Sequence, residues 1–356
     1  MKILYVLLGL GASGGARIIF EHCSRLAQRG HEVYIIPLTG EPKIDWYPGE
    51  FIKFSLAPTS ELERIAKNMD VVVATEANTA EPVAKLETEA QKFYFIQMRE
   101  SLFFMNGNPQ WAGQVELNYK NMRGVLKPIV ISWWLKDFLE QEYGYENIPI
   151  VPNGVNTDMF YPDPKWPKGD LPRILVEGHT HGEAKDIRFM SLNTVEWYRR
   201  NMQPAELWGF SQLGPPKGYD GFQKYWTLPD QDEIRQIYSS CDVLVKASRY
   251  EGRSCIEPEA WSCGLPVVRA IINGDDDLIH GYNCLLCKYD DVDTFCSHLV
   301  AILQQDIIRN SLITNGLQYV KDALNWDDKI DRLETIYAGY DPDPIPRKEE
   351  LWGTAD

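Results

Sequence analysis

The stretch "SRYEGRSCIEPEAWSCGLPVV", residues 248–268, carries the spacing on which the reading of the fold turns. It follows "CDVLVKAS", an apolar, β-branched run of the kind that forms a buried strand. Glu251 then falls in the loop beyond that strand's carboxyl end. A helix starting near Arg253 or Ser254 carries "CIEPEAWSC". Gly264 ends it as the left-handed residue past the cap, and Pro266 opens the next strand. On this reading Glu251 stands just before the helix and Glu259 about two turns inside it, roughly 10–12 Å apart along one face. That is too wide for two carboxylates acting on one bond. It suits two contacts along an elongated ligand. Two glutamates eight apart in an arbitrary helix are most often solvated acids, so the rest of the chain must decide.

Working outward, apolar runs alternate with segments of helical period. "ILYVLL", "EVYIIPL", "DVVVAT", "KFYFIQ" and "PIVIS" read as strands, with helices over residues 16–29, 59–68 and 80–90. A second series, "RILVEG", "AELWGF", "DVLVKAS" and "PVVRA", follows the proline-rich stretch 161–172. Strand–helix alternation implies parallel sheets covered on both faces. Two series imply two doubly wound α/β domains facing a central cleft, with a joint at the prolines. The expected division is residues 1–165, residues 166–335 and a tail, 336–356, that is either a surface segment or a return crossing to the first domain. Ligands of open parallel sheets bind beyond the carboxyl ends of the strands. The chemistry is therefore expected in loops 9–16, 97–107, 178–186 and 249–255.

A chain of 356 residues has room for two cores, and 44 % apolar with 24 % charged residues is ordinary for a globular protein. The net charge of −15 is concentrated late: 17 Lys and Arg stand against 21 Asp and Glu in residues 1–170, and 19 against 30 thereafter. Such a field disfavours nucleic acid and gives no help on anionic lipid. Seven scattered cysteines in so large a chain suit a reducing compartment, hence the cytoplasm. No segment reaches membrane-spanning length, so membrane contact is expected to be peripheral at most. The N-terminal "MKILYVLLGLGASGGA" has the ingredients of a signal peptide, but a good helix and another strand follow it, which favours a first strand and glycine turn. Cys284 and Cys287 form a CxxC near His280, Cys296 and His298. With no second pair at finger spacing, "NCLLCKYD" reads as a short buried strand rather than a zinc site.

"GLGASGGAR" satisfies GxGxxG at Gly9, Gly11 and Gly14. The acidic residue that a dinucleotide site needs about twenty positions on is represented only by Glu41, beyond a turn, which argues against NAD. Gly14 and Gly15 still allow close backbone approach at a helix N-terminus, where anions are favoured. "GHTHGEAKD" brings Gly178, His179, His181 and Lys185 to the end of the second half's first strand, as donors or cations. The acidic strings "GDDD" at 274–277 and "DDVD" at 290–293 read as solvated acids rather than a metal site, and no cofactor or essential metal is expected.

Taken together these segments resemble the retaining family 4 glycosyltransferases of GT-B fold. "EGRSCIEPEAWSCGLPVV" is similar to their E-x7-E signature, "GASGGARIIFEHCSRLAQRGHEV" to their glycine loop and first helix, and "VPNGVNTDMFYPD" to their interdomain segment. The resemblance implies sugar transfer from a nucleoside-diphosphate sugar to a carbohydrate or other hydroxyl acceptor, in glycan or polysaccharide synthesis. It implies that Glu259 holds the donor ribose and Glu251 faces the transferred sugar. Gly252 and Ser254 supply backbone donors, Leu228 lines the donor side, and Lys185 and Arg253 meet the diphosphate. Where family members carry a histidine after the fifth strand, "YFIQMRESLFFMNG" has none. Gln97, Arg99 and Glu100 take that place on the acceptor or sugar side, in a version that resembles the rhamnosyltransferase-like branch. Trp111, Trp133 and Trp134 could stack on sugar faces, although packing accounts for most tryptophans. A noncatalytic nucleotide-sugar-binding protein on the same scaffold is the alternative, because a fold does not determine a function.

Overall fold

A computed structural model of the chain describes residues 1–105, 107–178 and 188–352. It folds as two units, each around a six-stranded sheet whose strands all pair in parallel. The first unit, residues 1–153 and 327–345, runs β1 (Lys2–Leu7), α1 (Gly14–Gln28), β2 (Glu32–Pro37), β3 (Ser55–Leu56), α2 (Leu62–Ala66), β4 (Val71–Ala74), α3 (Ala77–Lys85), β5 (Gln91–Ile96), α4 (Pro109–Met122), β6 (Lys127–Val130) and α5 (Trp133–Tyr143). The second, residues 154–326 and 346–356, runs β7 (Arg173–Glu177), α6 (Asn193–Asn201), β8 (Glu206–Ser211), β9 (Lys224–Thr227), α7 (Gln231–Ser240), β10 (Val243–Lys246), α8 (Ile256–Ser262), β11 (Val267–Ile271), β12 (Leu285–Lys288), α9 (Val292–Gln304) and α10 (Asp306–Ala323). The next helix, α11 (Trp326–Tyr337), leads back into the first unit, and α12 (Lys348–Trp352) belongs to the second.

The sheet orders are β3-β2-β1-β4-β5-β6 and β12-β11-β10-β7-β8-β9. Both place the first strand of the unit beside its fourth, the doubly wound order expected from the alternation of elements. The central strands are apolar almost throughout because helices cover both faces; Ile3, Leu4, Tyr5 and Val6 are wholly buried, as are Val243, Leu244 and Val245. The direction of winding reverses between β1 and β4 in one unit and between β7 and β10 in the other. Such sheets take ligands at this reversal point, beyond the carboxyl edge.

Several sequence expectations shift. The helix placed at 80–90 is α3, which starts at Ala77 behind a reciprocal cap: Glu76 accepts from the backbone three residues on, and the Thr79 hydroxyl accepts from Glu76 N. The segment 59–68 is a single tight turn followed by the five-residue α2. The edge strands β3 and β9 were not anticipated, while β12 is the short buried strand expected at the CxxC. The chain passes between units at 153/154, not at 165/166. The proline-rich segment is braced on the second unit: Asp163 N donates to Ser239 Oγ (2.9 Å), and the Arg173 guanidinium donates to the carbonyls of Trp166 (3.1 Å) and Pro167 (2.6 Å). It is a strap and not a free joint.

Helix α11 is fastened to the first unit by polar contacts that no local pattern announces. The hydroxyls of Tyr5 and Tyr337 share a buried hydrogen bond of 2.7 Å, Gln91 Nε2 donates to Tyr337 O (2.9 Å), and Arg29 bonds Asp331 and Glu334 at 2.5 and 2.8 Å. Tyr5→Phe or Tyr337→Phe alone strands one buried hydroxyl and is expected to cost about 1–3 kcal/mol. The double substitution strands none. Urea unfolding should therefore give the double variant a smaller loss than the sum of the two singles; strict additivity would mean that the two hydroxyls do not pair.

Candidate active site

The reversal point of the second unit holds a buried lysine. β10 pairs with β7 through Val243 opposite Ile174 and Leu244 opposite Leu175. Two residues further along, the last residues of both strands, Lys246 and Glu177, come side by side at the carboxyl edge. Lys246 is 0 % exposed. Its Nζ lies 2.5 Å from Glu177 Oε2 and 3.2 Å from Glu251 Oε1. An ammonium in such a place has to be met by opposite charge, since unpaired burial costs several kcal/mol. Glu251, singled out by the sequence spacing, is thus tied to the end of the sheet and is itself 9 % exposed.

The signature helix differs from expectation in its start. α8 begins at Ile256, with Cys255 at the cap, two or three residues later than expected. Pro258 stands within its first turn, where a missing amide proton is tolerated. Glu259 therefore lies in the first turn, not two turns in, and Glu251 lies five residues upstream of the helix. The estimate of 10–12 Å from helical rise does not apply. Glu259 is nevertheless buried, at 4 % exposed, and is not a solvated acid. The end of α8 is as expected. Gly264 (φ +76) donates to Trp261 O (2.9 Å) and Leu265 to Ala260 O (2.8 Å), the paired bonds of a left-handed C-terminal cap. Glu257, in the same first turn as Glu259, is wholly buried against Arg269 of β11, Oε1 to Nε 2.5 Å.

The loop between Glu251 and α8 rests on the "GDDD" segment. Arg253, expected as a cation for an anionic ligand, directs its guanidinium at Asp277: Nε to Oδ2 is 2.6 Å and Nη2 to Oδ1 is 2.5 Å, with Asp276 Oδ2 at 3.5 Å from Nη1. Tyr319 of α10 donates a further bond to Asp277 Oδ1 (2.9 Å). Asp275 pairs with Lys348 of α12 at 3.0 Å. The expectation of solvated acids at 274–277 is thereby corrected, because each aspartate from 275 to 277 has a cationic partner. The second acidic string is exposed as expected, with Asp291 capping α9 through Thr294 N (3.1 Å). Gly274 (φ +76) presses backbone on backbone: a Cβ there would sit 2.4 Å from Gly252 O. Ser254 accepts from Ile256 N (3.3 Å).

Two other residues expected on the donor side lie among the described residues. Gly178 (φ +130) follows β7 and accepts from the Tyr225 hydroxyl (3.3 Å). Leu228 holds an unusual positive φ of 52° after β9 and is exposed. His179, His181 and Lys185 lie outside the described residues. Among the described residues no three His, Cys, Asp or Glu side chains gather as metal ligands. Burial pushes the Cys287 thiol up to about 12 and the Cys284 thiol up as well, and His280 Nδ1 accepts from Leu286 N (2.9 Å).

The first unit assembles its own group at the end of β5. Ser13 caps α1 by accepting from Ala16 N (3.0 Å), and Gly14 and Gly15 form its first turn. Gly15 lies under Gln97, whose amide would stand 3.3 Å from a Cβ at that position. Arg99 is taken up by Glu116 (2.8 Å) and by the Phe138 ring, 4.3 Å from its centroid. Glu100 accepts from Ala77 N with both oxygens (3.0 and 3.2 Å), and Glu76 accepts from Leu8 N (2.9 Å). Burial raises the Glu100 carboxyl to about 8, opposed by the Ala77 bond and reinforced by the Glu76 charge. Trp111 packs edge-on against Phe104, and Lys136 sits over Trp133. Sequence reasoning missed Lys246, Glu177 and Asp277. The lysine in "VLVKAS" was the available signal, because a buried strand admits a charge only with a partner.

Residues 219–305 match the family model for glycosyl transferases group 1. The O-antigen chain mannosyltransferase B of Escherichia coli is 29 % identical over 129 residues, covering 36 % of this chain and 32 % of that protein. The match thus spans about a third of the curated relative's length. Among solved structures, sucrose-phosphate synthase from Thermosynechococcus elongatus superposes with a TM-score of 0.72 at 15 % identity, covering 95 % of this chain and 98 % of that one. The Anabaena protein HepE in complex with UDP-glucose gives 0.71 at 12 % identity, covering 95 % and 100 %. These likenesses establish the GT-B fold of two Rossmann-like units.

The raised Glu100 carboxyl has a testable sign. Above its ordinary value of 4.5 the unfolded chain has lost a proton that the native chain keeps until about 8. Stability therefore falls as pH rises through that window. Glu100→Gln removes this dependence while still offering an oxygen to Ala77 N. The variant is expected to melt a few degrees above wild type at pH 8.5 and level with it at pH 5; an equal difference at both would contradict the raised value.

Proposed function

We propose, from the premise that residues 219–305 form a glycosyl transferases group 1 domain, that this chain is a retaining glycosyltransferase. It moves a sugar from a nucleoside-diphosphate sugar to a hydroxyl acceptor in glycan or polysaccharide synthesis. The observation that carries the reading is the burial of both signature carboxylates, Glu251 and Glu259, beyond the carboxyl end of β10 beside the reversal point of the sheet. The glycan context is supported by the O-antigen mannosyltransferase relative, and the donor class by the fold neighbour that holds UDP-glucose. No described helix is long and apolar enough to cross a membrane. A cytoplasmic enzyme with at most peripheral membrane contact is the accompanying proposal.

In this reading Glu259 accepts two hydrogen bonds from the ribose diol, for which a carboxylate is the natural partner. Glu251 faces the hydroxyls of the transferred sugar. Gly252 and Ser254 offer backbone donors, on a loop whose shape Arg253 holds through Asp277. Leu228 and Gly178 border the donor, and His179 and Lys185 belong to the loop that meets the diphosphate. The bond from the anomeric carbon to the phosphate oxygen breaks and its electron pair leaves with the diphosphate. The acceptor oxygen bonds the same face of that carbon, and its proton passes to the departing phosphate. Charge grows on the leaving group, so cations and helix N-termini aimed at it accelerate departure. In the first unit Gly14 and Gly15 form the glycine turn at the N-terminus of α1, and Gln97, Arg99 and Glu100 are the residues assigned to the acceptor or sugar side.

A panel of nucleotide sugars scored by thermal shift tests the donor class, since a ligand of the native state raises the melting temperature. Binding without any turnover or slow donor hydrolysis would instead indicate a noncatalytic binding protein. Glu259→Gln keeps the shape and removes the charge; donor affinity is expected to fall by on the order of tenfold or more, and an unchanged affinity would sink the ribose assignment. Turnover is expected to survive EDTA. Complete loss, restored by Mn²⁺ or Mg²⁺, would give the diphosphate to a metal instead.

A further inference from the structure

We propose that Lys246 is a positioning residue that sets the carboxylate of Glu251 from the floor of the sheet. The inference rests on the reading of Glu251 as the group that faces the donor's sugar. Lys246 is the last residue of β10, a strand held on both sides by β7 and β11. Its stem is wholly buried, so the place of Nζ is determined by the sheet and not by any loop. Glu177, the last residue of β7, meets Nζ at 2.5 Å. One carboxylate would suffice to neutralise one ammonium. The structure brings a second from the signature loop, Glu251, to 3.2 Å.

Lysine suits this task because its ammonium is a compact charge that can hydrogen-bond Glu177 while it attracts the Glu251 carboxylate as an ion pair. Glu177 keeps the ammonium against the strand end, and the ammonium fixes a loop residue that has no strand of its own. A first-contact residue held by a supporting group on a rigid element is how a binding geometry is kept accurate.

The experiment compares wild type, Lys246→Met, Glu251→Gln, the double variant Lys246→Met with Glu177→Gln, and the triple variant that adds Glu251→Gln. The probes are UDP with UDP-glucose and GDP with GDP-mannose, read by calorimetry and by donor hydrolysis. Lys246→Met alone is expected to melt lower, because it leaves Glu177 buried without its cation. The double variant should recover the melting temperature. Its affinity for the nucleoside diphosphate should stay within about twofold of wild type, while sugar-dependent affinity or hydrolysis drops by about tenfold, the scale of one lost charge-assisted contact. Adding Glu251→Gln to the double variant should cost nothing further, since both act through one carboxylate. Wild-type sugar binding and hydrolysis in the double variant, or losses that multiply in the triple, would overturn the proposal and reduce Lys246 to a structural ion pair. A wild type that binds no member of the nucleotide-sugar panel would instead overturn the donor reading itself.

Discussion

An ammonium group taken out of water has to be surrounded by charge, and at Lys246 the surrounding comes from two directions. One partner, Glu177, is supplied by strand order and register: β7 and β10 are neighbours only because the second unit winds outward in both directions from that pair. The other, Glu251, is supplied by the loop after β10. The placement of the signature loop thus depends on the sheet being parallel, on its order, and on two strands ending at the same level. Change any of these and the lysine is left as an uncompensated buried charge, a penalty large on the scale of net protein stability. The charge cluster and the topology specify each other.

Much of this was legible in the residues. Continuous apolar strands, the glycine turn after the first of them and the Gly-Leu-Pro end of α8 each have a local cause, and local causes survive folding. The glutamate spacing singled out the loop after β10, but the helix starts at Ile256, so a rise-per-residue estimate placed Glu259 a turn too deep. Boundaries depend on caps, and neither Cys255 before α8 nor Glu76 before α3 belongs to the most familiar cap residues. Lys246 was hidden for a different reason. Its partner Glu177 is 69 positions away, and pairing across a sheet leaves no mark within a window of the sequence. The same holds for Tyr5 and Tyr337, and for Arg253 and Asp277.

Composition misleads in a related way. A net charge of −15 suggests a surface crowded with solvated acids. Yet Glu177, Glu251, Glu257 and Asp277 are all engaged with cations inside the second unit. Buried pairs of this kind are screened by salt far less than exposed ones. They hold strand ends and loops in register, and their removal leaves a charge behind rather than a gap. A small part of the late half's acidity is thus internal framework.

The contact between Gly274 and Gly252 leads to one more consequence. Where a loop leans on a side chain, its support can be trimmed by a methylene at a time, and a family of sequences can explore intermediate positions. Here the support is one main chain against another, with a carbonyl oxygen where the first side-chain carbon would go. The smallest available change is a whole atom, and there is no room for it. The bed of the signature loop therefore comes in a single grade. Any tuning of what that loop grips has to be done by the side chains it displays, on a backbone that offers no adjustment of its own.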